Sequence, residues 1–305
     1  MDWSKVRESL LPTGKRSVVP PQVKLPILPI AVTKFSQKAK NPQVTASELG
    51  RIIEADSGLT CELLRNVNSS ARGMRQKASS ATQAISLLGI RESDLFLTTT
   101  AVQRSMRDRE SKLMNVRNFW NTNLERAIFA REIAVLLGAD QETAFAAAML
   151  QDFLLPALTN DLMNKYLDFT KPEFEEEIRL DQYEKRTLGW EHTEAAGQIM
   201  LAWEFPDELI CCVLLHHRGL KLLSDRRLGK TPAAAVALSA LIPDAIRQVP
   251  SGLEQLARLD EKWPAFNLMK IAETVDEEFQ ESSMGASNPF SFLRRCQKTL
   301  STMRT

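Results

Sequence analysis

From Thr45 onward the apolar residues of this chain recur every three or four positions, and that period commits the chain to helices. Thr45 and Glu48 have capping-box spacing, and Leu49, Ile52 and Ile53 then fall on one helix face. Asp56 or Ser57 can cap the next segment, where Leu59, Leu63, Leu64 and Val67 repeat the pattern until Asn68, Ser69 and Ser70 break it. Ser79 or Ser80 opens a short helix with Ile85 and Leu88, and Gly89 stands where a left-handed residue ends it. No apolar run alternates with period two between hairpin turns, so the expected fold class is all-α.

Residues 1–20 mix charge with proline and read as an N-terminal tail. VVPPQVKLPILPI then strings four prolines into an extended lead-in, because proline fixes φ and removes a donor. The charged stretch RDRESK, residues 107–112, is a seam that few apolar contacts can cross. These signals divide the chain into a main domain at 21–222, with lobes at 21–110 and 111–222, and a C-terminal helical extension at 223–305. Within the second lobe, FTKPEFEEEIRLDQYEKRTLG is so charged that it reads as a solvated helix. ESSMGASNP, residues 281–289, has the composition of a flexible linker. The final helix places Leu293, Cys296, Leu300 and Met303 on one stripe, which suits docking on its own body first and a partner or dimer contact second.

Lys and Arg (39) nearly balance Asp and Glu (38), leaving a net charge of +1 and no overall bias towards nucleic acid or an anionic membrane. The four cysteines lack CxxC spacing and read as reduced core thiols of a cytoplasmic protein. No uncharged run reaches the length of a membrane span, and the start does not read as a signal peptide. None of the 12 glycines stand two apart, so GxGxxG is excluded, and Ser224 occupies the first glycine position of a P-loop ending at Gly229, Lys230 and Thr231. GxSxG and HExxH are also missing, so histidine chemistry must draw on His192, His216 and His217.

The stretch AAAMLQDFLLPAL, residues 146–158, is apolar except for Gln151 and Asp152. A buried carboxylate is costly unless paired, hydrogen-bonded or metal-bound, which marks Asp152 as part of a site or the remnant of one. Its plainer reading is a turn cap or a bond to a neighbouring helix. His216 and His217 close the run ICCVLLHH, where imidazolium also suits the helix C-terminus, and His192 reads as a partly exposed first-turn residue.

LPILPIAV, ELGRIIEADSGLTCELLRNVNSSARG and ATQAISLLGI, followed by FWNTNLERA, AFAAAMLQDFLLPAL, LGWEHTEAAGQIMLAWEFP and CVLLHH, resemble the HDOD domain in order and spacing. That family is a degenerate relative of the HD and HD-GYP phosphohydrolases, and the resemblance runs over about two-thirds of the chain. It implies a two-lobed helical fold whose second lobe is an HD-like bundle. The family usually has proline where this chain has Ser57.

The resemblance also implies a remnant HD-type pocket at Thr122, Gln151, Asp152, His192, His216 and His217. Active HD enzymes have histidine where this chain has Thr122 and Gln151, and a late acid that falls near Ala240 here. Threonine hydroxyl and glutamine carbonyl donate weakly to transition metals, so the expectation is no catalysis, no metal and no cofactor. Hydrogen bonding within the bundle would then explain why Gln151 and Asp152 are kept. The implied function is a non-catalytic bacterial regulatory or signal-transduction protein acting by protein interaction or ligand sensing. Its effector surface is the extension, the cleft between lobes or the pocket, with a protein partner or a small nucleotide as input. The alternative is a metal-dependent phosphohydrolase of a nucleotide or cyclic dinucleotide.

Overall fold

In the computed structural model, residues 1–11, 18–69, 77–107, 109–171, 178–282 and 290–303 are described, and every regular element among them is a helix. The chain forms two compact units, Leu25–Asp108 and the combination of Met1–Lys24 with Arg109–Thr305. The linker expected at 281–289 falls mainly outside the described residues, as do parts of the acidic stretch before Leu180.

Residues 1–20 carry a helix, α1 (Trp3–Leu10), capped by Asp2, which accepts from the Lys5 N–H. Arg7 Nε donates to Asp207 Oδ1 at 2.6 Å, fastening this helix to the larger unit.

The smaller unit contains α2 (Ile30–Ala39), α3 (Ala46–Glu54), α4 (Ser57–Ser69), α5 (Ala81–Leu88) and α6 (Ile90–Arg107). The local signals fix these boundaries. Thr45 and Glu48 form the full reciprocal capping box, Asp56 accepts from the Leu59 N–H, and Ser80 caps α5. Gly89 leaves α5 at φ +89°, a conformation that costs glycine nothing. Asn68 stands one residue before the end of α4 at Ser69, where the sequence places the break. Its side-chain amide pairs with both the N–H and the C=O of Ala78, which fixes the return of the chain. Phe35, Leu49, Ile53, Leu59, Leu63, Ile85 and Leu97 form the core of this unit.

The larger unit is built on α7 (Val116–Leu137), which Asn115 caps and Gly138 ends in the left-handed conformation, and on α8 (Gln141–Leu150), capped by Asp140. The chain continues through α9 (Leu155–Asp161), α10 (Met163–Tyr166), α11 (Leu180–Leu188), α12 (His192–Ala202) and α13 (Asp207–Leu215). A 3₁₀ turn at His216–Arg218 leads to α14 (Leu220–Leu223), α15 (Pro232–Ser239), α16 (Gly252–Lys262), α17 (Leu268–Ser282) and α18 (Phe292–Met303).

Two placements depart from a reading of the pattern alone. Helix α15, PAAAVALS, is buried throughout and packs against α7, α8 and α13, because its small side chains let it run through the middle of the bundle. Helix α11 is not simply solvated: Leu180, Asp181, Tyr183 and Glu184 are buried, while Gln182, Lys185 and Arg186 face water. The terminal helix α18 docks on its own unit. Phe292 and Cys296 are buried, the Phe292 N–H donates to Glu125 Oε1 at 2.8 Å, and Arg295 pairs with Glu125 and with the Pro243 carbonyl.

Candidate metal centre

Three chain turns bring the chemistry together. Asp152 lies just past the end of α8, His192 is the first residue of α12, and His216 and His217 occupy the 3₁₀ turn that ends α13. Asp152 and His192 are 1% exposed, His216 is fully buried and His217 is 7% exposed. Each can aim one ligand atom at the others, all within 4.8 Å.

Hydrogen bonds outside this cluster decide which imidazole nitrogens face inward. His192 uses Nδ1 on Glu184 Oε2 at 2.6 Å, and its backbone N–H donates to the same oxygen at 2.8 Å. His216 uses Nδ1 on the Val213 carbonyl at 2.7 Å. A carbonyl or carboxylate accepts only from N–H, so in both rings Nδ1 carries a proton and Nε2 is the nitrogen left to take an ion once it holds no proton. His192 Nε2 stands 3.4 Å from His216 Nε2 and 3.1 Å from His217 Nε2. Asp152 Oδ1 is 3.3 Å from the first of these and 3.2 Å from the second.

Those spacings test whether the residues fit an ion. Lone pairs that face one another repel unless a cation lies between them. A tetrahedral divalent ion with bonds of about 2.0–2.1 Å sets its ligands roughly 3.3 Å apart, and the four separations above match that spacing, with all four ligand atoms within 4.8 Å of one another. Three imidazoles and one carboxylate suit zinc and its first-row neighbours better than magnesium or calcium.

The other carboxylate oxygen is already committed. Arg126 Nη1 donates to Asp152 Oδ2 at 2.6 Å, and Gln248 Nε2 donates to it at 2.8 Å. Arg126 Nη2 reaches Asp244 Oδ2 at 3.0 Å and the Ile242 carbonyl at 2.7 Å. Asp152 therefore offers the cluster a single oxygen, Oδ1. Burial alone pushes the Asp152 carboxyl up, but His192, His216 and Arg126 outweigh it and hold it well below the usual carboxylate range. Burial raises the Asp244 carboxyl, against the pull of Arg126. Tyr166 donates its hydroxyl to Glu184 Oε1 at 2.7 Å, and burial with the neighbouring Glu184 lifts that phenol well above its ordinary value.

Burial pushes the His192 imidazolium down, yet Glu184 and Asp152 overcome this and raise it to about 10. Burial and the neighbouring His216 and His192 press His217 well below its ordinary value. Metal-free protein should accordingly be most stable near pH 6.5. Above that, His192 holds a proton that the unfolded chain has lost, and its contribution fades as pH climbs towards about 10. Below it, the unfolded chain protonates His217 and the folded protein does not, so stability falls again. Urea titrations of chelator-treated protein across pH 5–9.5 measure this, and stability rising steadily from pH 6.5 to 9.5 contradicts it. An incoming ion must displace the His192 proton, so metal affinity rises with pH over the same range.

Several readings from sequence need correction here. The expectation that too few ligands survive for an enzyme does not stand, because Asp152, His192, His216 and His217 converge as a buried set able to hold a metal. Matching positions one by one counts missing ligands, whereas a site needs only enough donors in one place. His192 is not a partly exposed first-turn residue, and His216 and His217 are more than exposed helix caps. Asp152 is hydrogen-bonded as expected, but Gln151 is fully buried and neither polar atom of its amide has a hydrogen-bond partner among the described residues. Thr122 sits half-buried on α7, one turn before Arg126. The acid sought near Ala240 has a counterpart four residues on in Asp244, which is tied up by Arg126. Sequence reasoning missed Glu184, Arg126, Gln248 and Asp244. The only signal for Arg126 was its place, beside Glu125, at the head of the apolar run AIFA.

A helical bundle here gathers a buried cluster of three histidines and one aspartate where α8, α12 and the turn after α13 meet. The chain belongs to the HDOD domain family, whose model matches residues 25–219. Its fold is similar to that of a protein from Shewanella amazonensis SB2B provisionally named a phosphohydrolase, with a TM-score of 0.64 and 19% identity over 89% of this chain and 98% of that one. It is also similar to a protein from Marinobacter aquaeolei VT8 provisionally named a signal transduction protein, with a TM-score of 0.60 and 20% identity over 93% of this chain and 64% of that one. An uncharacterized protein of Treponema pallidum (strain Nichols) is 21% identical over 195 residues, 63% of this chain, and the match spans 37% of that relative's length. Among the described residues no helix is long and apolar enough to cross a membrane.

Proposed function

We propose that this chain is a cytoplasmic regulatory protein of bacterial signalling whose larger unit holds one divalent transition-metal ion on Asp152, His192, His216 and His217. The observation that carries the reading is that three imidazoles and one carboxylate bring ligand atoms within 4.8 Å of one another, with His192 Nε2 and Asp152 Oδ1 at 3.1–3.4 Å from their neighbours and two of the rings turned inward by Glu184 and Val213. Arg126 and Gln248 neutralise and orient the outer oxygen of Asp152, so that the inner one is presented alone. Membership of the HDOD family and the likeness to a protein named for signal transduction support the regulatory role. When bound, such an ion supplies Lewis acidity towards a water or phosphoryl oxygen.

Elemental analysis of protein purified without a metal-affinity step tests the reading. One ion of zinc, iron, manganese or cobalt per chain is expected, with a fall in Tm on chelation, since a ligand of the native state stabilises by mass action. Protein that arrives metal-free and shows no Tm response to any of the four ions removes the proposal.

A second reading, metal-dependent hydrolysis of a phosphoester such as a nucleotide or cyclic dinucleotide, is favoured by a cavity that reaches His216 and His217 from outside the cluster. Turnover by metal-loaded protein, lost in Asp152→Ala, is its expected result.

A further inference from the structure

Each metal-facing histidine normally passes its second ring nitrogen to an acceptor, which fixes the ring and strengthens its donation. His192 has Glu184 for this purpose and His216 has the Val213 carbonyl. Among the described residues His217 has none: its Nε2 faces His192, while its Nδ1 is buried without a hydrogen-bond partner there. A neutral imidazole that offers Nε2 inward must carry its proton on Nδ1, so a buried donor is left waiting for an acceptor.

His217 also lines a cavity of about 100 Å³, with His216, Arg179, Arg218, Lys221 and Gln255 among its walls. Gly219, at φ +53° and ψ −138°, makes the sharp turn that sets Arg218 and Lys221 on the same cavity, a backbone state that side chains other than hydrogen scarcely tolerate. Arg179 spends its fork on both oxygens of Asp181, at 2.9 and 2.6 Å. Arg218 and Lys221 are exposed and form no ion pair among the described residues, so their charges face the cavity's solvent. The space takes several waters or one small oxyanion, and is far below the roughly 300–1,000 Å³ that encloses a whole drug-sized ligand.

We propose that this cavity binds a phosphoryl-sized oxyanion, which accepts from His217 Nδ1–H and is neutralised by Arg218 and Lys221. The inference rests on His217 serving as a metal ligand through Nε2. It assigns an anion as the outer partner of that ring, so that anion and metal each tighten the binding of the other by the same factor. Free phosphate and the phosphate end of a larger molecule share this chemistry.

Calorimetric titration of inorganic phosphate, and separately of a nucleoside monophosphate, into the full chain tests the assignment, with ionic strength matched by chloride and metal content measured on each sample. Wild type should bind at least one of the two probes, and R218A/K221A should bind it roughly tenfold or more weakly, since both charge-assisted contacts are removed. Tighter phosphate assigns the free anion, and tighter monophosphate assigns the end of a larger ligand. The substituted positions are exposed, so the variant should fold, which its unchanged Tm and metal content verify. Metal-loaded protein that ignores both probes, or a variant that binds as well as wild type, overturns the cavity and leaves the metal reading standing. Protein that arrives metal-free and gives no Tm response to the four ions, yet binds phosphate through Arg218 and Lys221, overturns the metal reading and the role of His217, and keeps the cavity as an anion site.

Discussion

Arg126→Met is expected to destabilise the protein by about 3–5 kcal/mol, the range for leaving a buried ionic partner uncompensated. Arg126 is 1% exposed and donates to Asp152 Oδ2, Asp244 Oδ2 and the Ile242 carbonyl at 2.6, 3.0 and 2.7 Å. Methionine keeps much of the volume and removes all of the donors. Two carboxylates and a carbonyl then lie buried with fewer partners than they need. Asp152 keeps Gln248 at 2.8 Å, while Asp244 keeps only backbone N–H donors, from Ile246 at 2.9 Å and Gln248 at 3.3 Å. Urea denaturation of metal-free wild type and variant measures the difference. Should Arg126→Met fail to fold, Arg126→Lys supplies the readout, because a single ammonium cannot reproduce the forked contacts and still retains the charge. A loss below about 1 kcal/mol in both variants would mean that the arginine is no more than a surface-grade ion pair.

Glu184→Gln is expected to weaken metal binding about 10- to 100-fold, the usual cost of removing an outer partner of a metal-bound histidine. Glutamine can still accept from His192 Nδ1, so the ring stays placed, but the carboxylate charge that makes the imidazole a stronger donor is gone. Competition against a chromophoric chelator reads the affinity directly. Tyr166→Phe should act in the same direction and by less, because it removes only the 2.7 Å bond to the far oxygen of Glu184. Equal affinity in Glu184→Gln and wild type would confine Glu184 to a packing role.

The helices were legible in the sequence because their signals are local. Thr45 with Glu48, Ser80 and Gly89 act within one turn, and a capping box is satisfied by residues three apart wherever the helix ends up. The order of motifs that resembles the HDOD domain was legible for a similar reason, since spacing along the chain is what such a resemblance compares. The candidate centre was only half legible. Asp152 stood out as an acid in an apolar run, but Glu184 was hidden in LDQYEKRTL, where four of nine residues bear charge and a buried acid looks like its solvated neighbours. Its burial depends on which side of α11 meets Tyr166 and His192, and that is decided by packing between distant segments. Arg126 was hidden for the opposite reason: one charge per turn is ordinary on a helix, and only the arrival of Asp152, Ile242 and Asp244 from elsewhere makes it central.

The place of α15 bears on how this protein can be dissected. The family match ends at residue 219, and a deletion design guided by it would discard everything from residue 223 as an appendage. Yet α15 runs through the bundle against α7, α8 and α13, Gln248 holds Asp152, and Arg295 and the Phe292 N–H neutralise the buried Glu125. Cutting there would open a furrow lined with alanine-packed surfaces and strand two acids in it. The evolutionary module and the cooperative folding unit are therefore different lengths of chain. A partner lost on such a truncation would report the collapse of the scaffold, and point substitutions at exposed positions are the means of finding where anything docks.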